Sequence, residues 1–178
     1  MLAARIDALR QRVGGVRWVD SRSIHFTLHF FEELPAERTG AVVEAVSAVA
    51  IRQAPFTLQL GGLGSFPGGA RARVLWVGLI ADSPALADLA AGVQAAMAGC
   101  GFALDPRPFR PHVTLGRPGP RFDLGAWRDE LATPFDIPAF TAQQVVLYES
   151  RGGHHVRERL PLGIAADSRA TSAGTIAG

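Results

Sequence analysis

The chain of 178 residues contains no lysine; all 18 of its basic residues are arginine. Against the acidic residues this leaves a formal net charge of +2. That is too little for a protein that binds polyanions in bulk, so any basic patch must be local. Arginine alone supplies planar forks that suit phosphate oxygens. A single cysteine, Cys100, excludes an intrachain disulfide and any Cys-cluster metal site. It falls where a helix would end, so no chemistry is assigned to it. No apolar run approaches membrane-spanning length. The opening MLAARIDALRQR is charged early and is not read as a signal peptide, so the expected location is cytoplasmic, with no membrane partner. With 48% hydrophobic and 19% charged residues, the chain has enough apolar material for one compact domain or two small lobes sharing a core.

What is present is strongly periodic. Leu2, Ile6, Leu9 and Val13 predict a helix ending near Gly14 and Gly15. RWV and then IHFTLHF alternate like strands. Pro35 opens a helix carrying Val42, Val43, Val46 and Val49, and FTLQL reads as a strand. GGLGSFPGGAR is expected to be a mobile glycine-rich connection, since it lacks the Lys-Ser/Thr ending of a phosphate-binding loop. RVLWVGLI reads as a buried strand with Trp76 in the core. Residues 84–99 follow as a helix with Leu86, Leu89, Val93 and Met97 inward, then HVTLGR as a strand and 123–132 as a short helix. QQVVLYES and HHVRERLPL predict an antiparallel pair turning through Arg151-Gly152-Gly153. Residues 1–163 are thus expected to form the domain, and the small, polar 164–178 a disordered tail.

One tetrapeptide pattern recurs. His25-Phe26-Thr27-Leu28 and His112-Val113-Thr114-Leu115 each follow a helix end by about a dozen residues and each lead into a helix and two strands. Two of the five histidines carrying His-x-Thr-Leu by accident would be expected about two times in ten thousand. A buried strand with a backbone-satisfied histidine explains either copy alone, but not the recurrence. The helix of 84–99 has a strand before it and the first helix has none. By the symmetry of the repeat, either the true start lies upstream or one lobe carries an incomplete sheet with an exposed edge.

In a strand, residues i and i+2 share a face, so each motif can present an imidazole and a hydroxyl together while the intervening residues pack inward. Two imidazoles, one neutral and one protonated, suit in-line displacement at phosphorus: one takes the proton of the attacking oxygen, the other protonates the leaving oxygen. Threonine hydroxyls can donate to the non-bridging oxygens. This chemistry requires no metal or other cofactor. The sequence has no His-Glu-x-x-His, no cysteine pair and no carboxylate cluster beside the histidines.

RWVDSRSIHFTLHF, LQLGGLGSFP, RVLWVGL, RPFRPHVTLGR and VVLYES resemble the two-histidine phosphoesterase superfamily, and within it the RNA 2′,3′-cyclic phosphodiesterases of the LigT/ThpR type. The resemblance spans most of residues 16–150. It implies an α+β, bilobal fold of two pseudo-symmetric repeats, antiparallel sheet plus helices, around a central cleft. It also implies an opening strand that this chain lacks. The implied reaction is hydrolysis of RNA or nucleotide 2′,3′-cyclic phosphate ends to a 2′-phosphate, with His25 as proton donor, His112 as proton acceptor, and Thr27 and Thr114 on the phosphate. Phe31-Glu32 departs from a Leu-Gly pair common at that point. From the residues alone the two histidines are symmetric.

Arg117 and Arg110 flank the second motif and are candidate phosphate contacts, against a solvated role. Phe109, Trp76 and Tyr148 are candidate base-stacking residues, with the core the favoured place for Trp76. His29 is read as a bystander and His154 and His155 as surface. The expected partner is RNA or an oligonucleotide end, with no obligate protein partner and a monomeric chain. Three rival readings stay open: another cyclic nucleotide substrate, a non-catalytic RNA-end binding module, and a truncated, poorly folded product.

Overall fold

In the computed structural model, residues 2–20, 23–135, 137–150 and 155–163 are described. Four α-helices occur among them: α1 (Leu2–Arg12), α2 (Ala36–Ala50), α3 (Pro84–Gly99) and α4 (Leu124–Leu131). The strands are β1 (Val16–Trp18), β2 (Phe56–Leu58), β3 (Leu60–Phe66), β4 (Val74–Leu79), β5 (Val113–Pro118), β6 (Phe140–Ala142), β7 (Gln144–Glu149) and β8 (His155–Pro161). The expected tail 164–178, the turn Arg151-Gly152-Gly153 and His154 lie outside the described residues.

Helix and antiparallel sheet are mixed, as the α+β expectation required. Strands β1, β5, β4 and β3 form one four-stranded sheet in that order; β2 pairs with β6 and β7 with β8. Ile6 and Leu9 of α1 bury against Leu60, Val77, Val113 and Leu115 of the larger sheet. Trp127 of α4 joins Val13 and Leu75 beside them. A second core is built from Val42, Val46 and Ala50 of α2, Leu89, Val93 and Met97 of α3, and Leu160 of β8. The chain alternates between these two cores, because the halves of the repeat are interleaved. Capping agrees with sequence: the Ser83 hydroxyl accepts from Leu86 N (3.3 Å), and Asp123 accepts from Ala126 N (2.9 Å).

Two expectations are corrected. GGLGSF is not a mobile connection but β3, paired along its length with β4 and bulged between Gly61 and Leu63. Its glycines have a packing reason: a Cβ on Gly64 would lie 2.2–2.6 Å from the Trp76 indole. Conversely, IHFTLHF is not a regular strand. Its sole ladder contact among the described residues is the antiparallel bridge Phe26–Val113. Beyond it, a side chain of α3 takes the place of a neighbouring strand: Gln94 Nε2 donates to Leu28 O and His29 Nδ1 lies 3.3 Å from Gln94 Oε1. This segment spans the molecule, with Ile24 and Phe26 on the first core and Leu28, Phe31 and Leu34 on the second.

Candidate active site

Both histidines are fixed by the same local device. His25 Nδ1 lies 2.7 Å from Ser23 O, and His112 Nδ1 lies 2.7 Å from Arg110 O. A carbonyl oxygen only accepts, so in each ring Nδ1 carries the hydrogen and the neutral form keeps its lone pair on Nε2. Each histidine thus borrows the carbonyl two residues before it, a geometry encoded within three consecutive residues.

The Phe26–Val113 bridge then relates the two motifs. Phe26 packs against the first core and Val113 is buried in it, so alternation turns their neighbours the other way. In an antiparallel pair centred on that bridge, His25 lies beside Thr114 and Thr27 beside His112. Imidazole and hydroxyl of each motif are therefore presented to one shared face, with the bridge as the pivot of a local two-fold arrangement. Thr27 is exposed and Thr114 half-buried.

The surroundings differ. His25 stands 5.4 Å from the Tyr148 ring of β7, at 35°. His112 stands 5.1 Å from Phe66, edge-on at 88°, and 6.4 Å from Trp76. Trp76 pairs directly with Thr114 across β4 and β5 and belongs to neither core, which corrects its assignment to the interior. Its strand neighbours Leu75 and Val77 are the fully buried ones.

Arg117 reaches the same face through an irregularity. Leu75 pairs with Gly116 and Trp76 with Thr114, so Leu115 is an extra residue that shifts the alternation. Leu115 and Gly116 are both buried; a Cβ on Gly116 would lie 2.6 Å from Val16. Arg117 is exposed, opposite Arg17 of β1 in register. Two cations directly opposed on a sheet repel, and an anion between them would relieve that. Arg110 is exposed and contributes its carbonyl to His112. Phe109, half-buried, lies in the extended segment leading to it. That approach is held by an exposed Asp105–Arg107 pair, with Arg107 Nε at 2.8 Å and Nη2 at 2.5 Å from the carboxylate oxygens. The side-chain hydrogen bonds from Arg107, and then its backbone N–H, hold the Asp105 carboxyl down at about 2. It stays ionised throughout the range in which imidazoles titrate.

His29 is tied to Gln94 and packs edge-on against Phe31 (4.6 Å), and His155 opens β8 at the surface. Among the described residues no three His, Cys, Asp or Glu side chains form a metal-ligating group, and no helix is long and apolar enough to cross a membrane. Phe66 and Gln94 were not singled out from sequence. Phe66 lay in a stretch read as loop, and the Gln94 contact joins positions far apart in the chain. The parity of Val74, Trp76 and Gly78 against Leu75, Val77 and Leu79 was the available signal for Trp76.

The 2′-5′ RNA ligase superfamily matches residues 1–154. An RNA 2′,3′-cyclic phosphodiesterase of Geobacillus stearothermophilus is 35% identical over 143 residues, covering 75% of this chain and 42% of that protein. One of the same name from Escherichia coli is 37% identical over 101 residues, covering 57% of this chain and 54% of its own length. The chain spans about half the length of the curated relatives it matches. Among solved structures, E. coli LigT complexed with 3′-AMP superposes with a TM-score of 0.66 at 27% identity, covering 83% of this chain and 82% of that one. A Thermus thermophilus protein reaches a TM-score of 0.71 at 24% identity over 92% of both chains, a likeness of fold alone.

Proposed function

The chain belongs to the 2′-5′ RNA ligase superfamily, and from that premise we propose that it hydrolyses the 2′,3′-cyclic phosphate of an RNA or nucleotide end to a 2′-phosphate. The observation that carries this is the matched pair of imidazoles, each with Nδ1 on the carbonyl two residues back, one on either side of the Phe26–Val113 bridge. His112 Nε2 takes a proton from water as the water oxygen bonds to phosphorus. The P–O3′ bond breaks on the opposite side, and His25 Nε2 delivers a proton to O3′. The products are a 2′-phosphate and a free 3′-hydroxyl, and the two imidazoles have exchanged protonation states. The assignment of acid to His25 and base to His112 follows the two-histidine phosphoesterase pattern. Thr27 and Thr114 donate to the non-bridging oxygens, where charge shifts during displacement. Arg117, aided by Arg17, supplies positive charge from the same face. Tyr148 borders the His25 side. An RNA 5′-hydroxyl in place of water would give a 2′–5′ linkage, a second outcome that the superfamily name favours. The domain acts as a monomer in the cytoplasm on this account, with no metal in the reaction.

The test is the position of phosphate after incubating the protein, in EDTA, with a short RNA ending in 2′,3′-cyclic phosphate. A 2′-phosphate product that disappears in His112→Ala is the expected result. A 3′-phosphate product, or none from folded protein, would overturn the reading in favour of a different phosphodiester or a binding module.

A further inference from the structure

The aromatic residues beside His112 are arranged in a way that neither core requires. The Trp76 indole lies flat over Gly64, where any Cβ would collide with its Cε2, Cζ2 and Cη2 atoms, and its Cζ3 edge comes 3.3 Å from the Cβ position of Gly78. Two glycines on adjacent strands thus clear a floor for one ring. Phe66 extends that floor, 5.0 Å from Trp76 between centroids and tilted by 33°, and its ring meets His112 edge-on. Both rings remain half-buried, on the face of the sheet opposite α1 and α4. Among the described residues the buried Nε1 of Trp76 has no hydrogen-bond partner, as is also true of Trp127 Nε1 in the core; phenylalanine in either place would carry no such penalty.

We infer that Phe66 and Trp76 form a nucleobase subsite, on which the base of the nucleotide whose phosphate lies at His112 stacks. This rests on the phosphodiesterase reading above. An indole centroid 6.4 Å from the imidazole stands about one ribose away from a phosphate at that imidazole. A flat, partly exposed pair of rings accepts any base by its π-face, so the subsite distinguishes nucleotides from bare sugar cyclic phosphates more sharply than one base from another. Gly64 acts as a positioning residue, since a side chain there would lift the indole off its floor.

The experiment compares kcat and KM for adenosine 2′,3′-cyclic phosphate and for the base-less ribose 2′,3′-cyclic phosphate. In the wild-type protein the base should improve kcat/KM by about 10- to 100-fold, mainly through KM. In Trp76→Leu with Phe66→Leu the ratio should fall towards one. Trp76→Phe, which keeps a ring and removes the orphaned Nε1, should retain most of the ratio and melt no lower than wild type. Gly64→Ala should lower the ratio with both rings still present. Equal turnover of the two substrates by wild-type protein, or a ratio untouched in the folded double variant, would overturn the subsite and leave the phosphodiesterase reading standing. No turnover of either substrate would overturn both.

Discussion

The two His-x-Thr segments are alike within three residues and unlike beyond them. His112 leads into β5, which has β1 on one side and β4 on the other. His25 leads into a segment with one bridge, one amide from α3, and side chains divided between two cores. Yet the imidazoles are held by the same bond at the same 2.7 Å. On the proposed function the chemistry depends on a local turn of chain and one shared pivot, and the sheet around each copy is free to differ. What the difference affects is rigidity: the His112 side is fixed by ladders on both edges, the His25 side by side chains that can let go.

Among changes that leave the two imidazoles in place, loss of a motif hydroxyl should have the largest effect. Thr27→Ala and Thr114→Ala are each expected to lower kcat by about 10²–10³-fold if the hydroxyls meet charge in the transition state. Near-equal losses would support the two-fold arrangement; a loss confined to one would break it. Gln94→Ala attacks the His25 side alone. It removes the donor to Leu28 O and the partner of His29, and about a tenfold loss in kcat is expected as the segment loosens. Hydrogen exchange should quicken over residues 24–31 and stay unchanged in β5. Equal quickening in both would contradict the contrast. The smallest effect on turnover should come from the far side of the first core. There Arg12 holds Glu130 with Nη2 at 3.0 Å from Oε2 and Nε on Oε1, and the Glu130 carboxylate keeps the guanidinium more firmly charged. Glu130 is only 8% exposed. Arg12→Ala should cost about 1–2 kcal/mol in a denaturant melt by stranding that carboxylate, with kcat unchanged.

Much of this was legible in the sequence, for local reasons. Helix α3 falls at 84–99 because Leu86, Leu89, Val93 and Met97 mark one face and Ser83 caps it. The paired histidine motifs stand out in the sequence because a repeated pattern needs no structure to be seen. Misreadings arose where a distant partner decides. FTLHF alternates as well as β5 does, but alternation makes a strand only when a neighbour supplies hydrogen bonds. GGLGSF looks like a loop because glycine weakens strands, until Trp76 on the next strand needs the space. Strand β6, three residues paired with β2, carries too short a signal to read. Arg117 joins the face of Phe66 and Trp76 only through the irregularity at Leu115, which no periodicity announces.

The most direct test of the central claim, that the two histidines act as one unit, is the kcat of His25→Ala, His112→Ala and the double variant on one cyclic phosphate substrate. Each single change should cost about 10²–10⁴-fold, and the double variant should be scarcely worse than either, because a displacement deprived of its acid or its base gains little from the remaining one. Losses that multiply in the double variant, or near-normal turnover in either single one, would contradict the account.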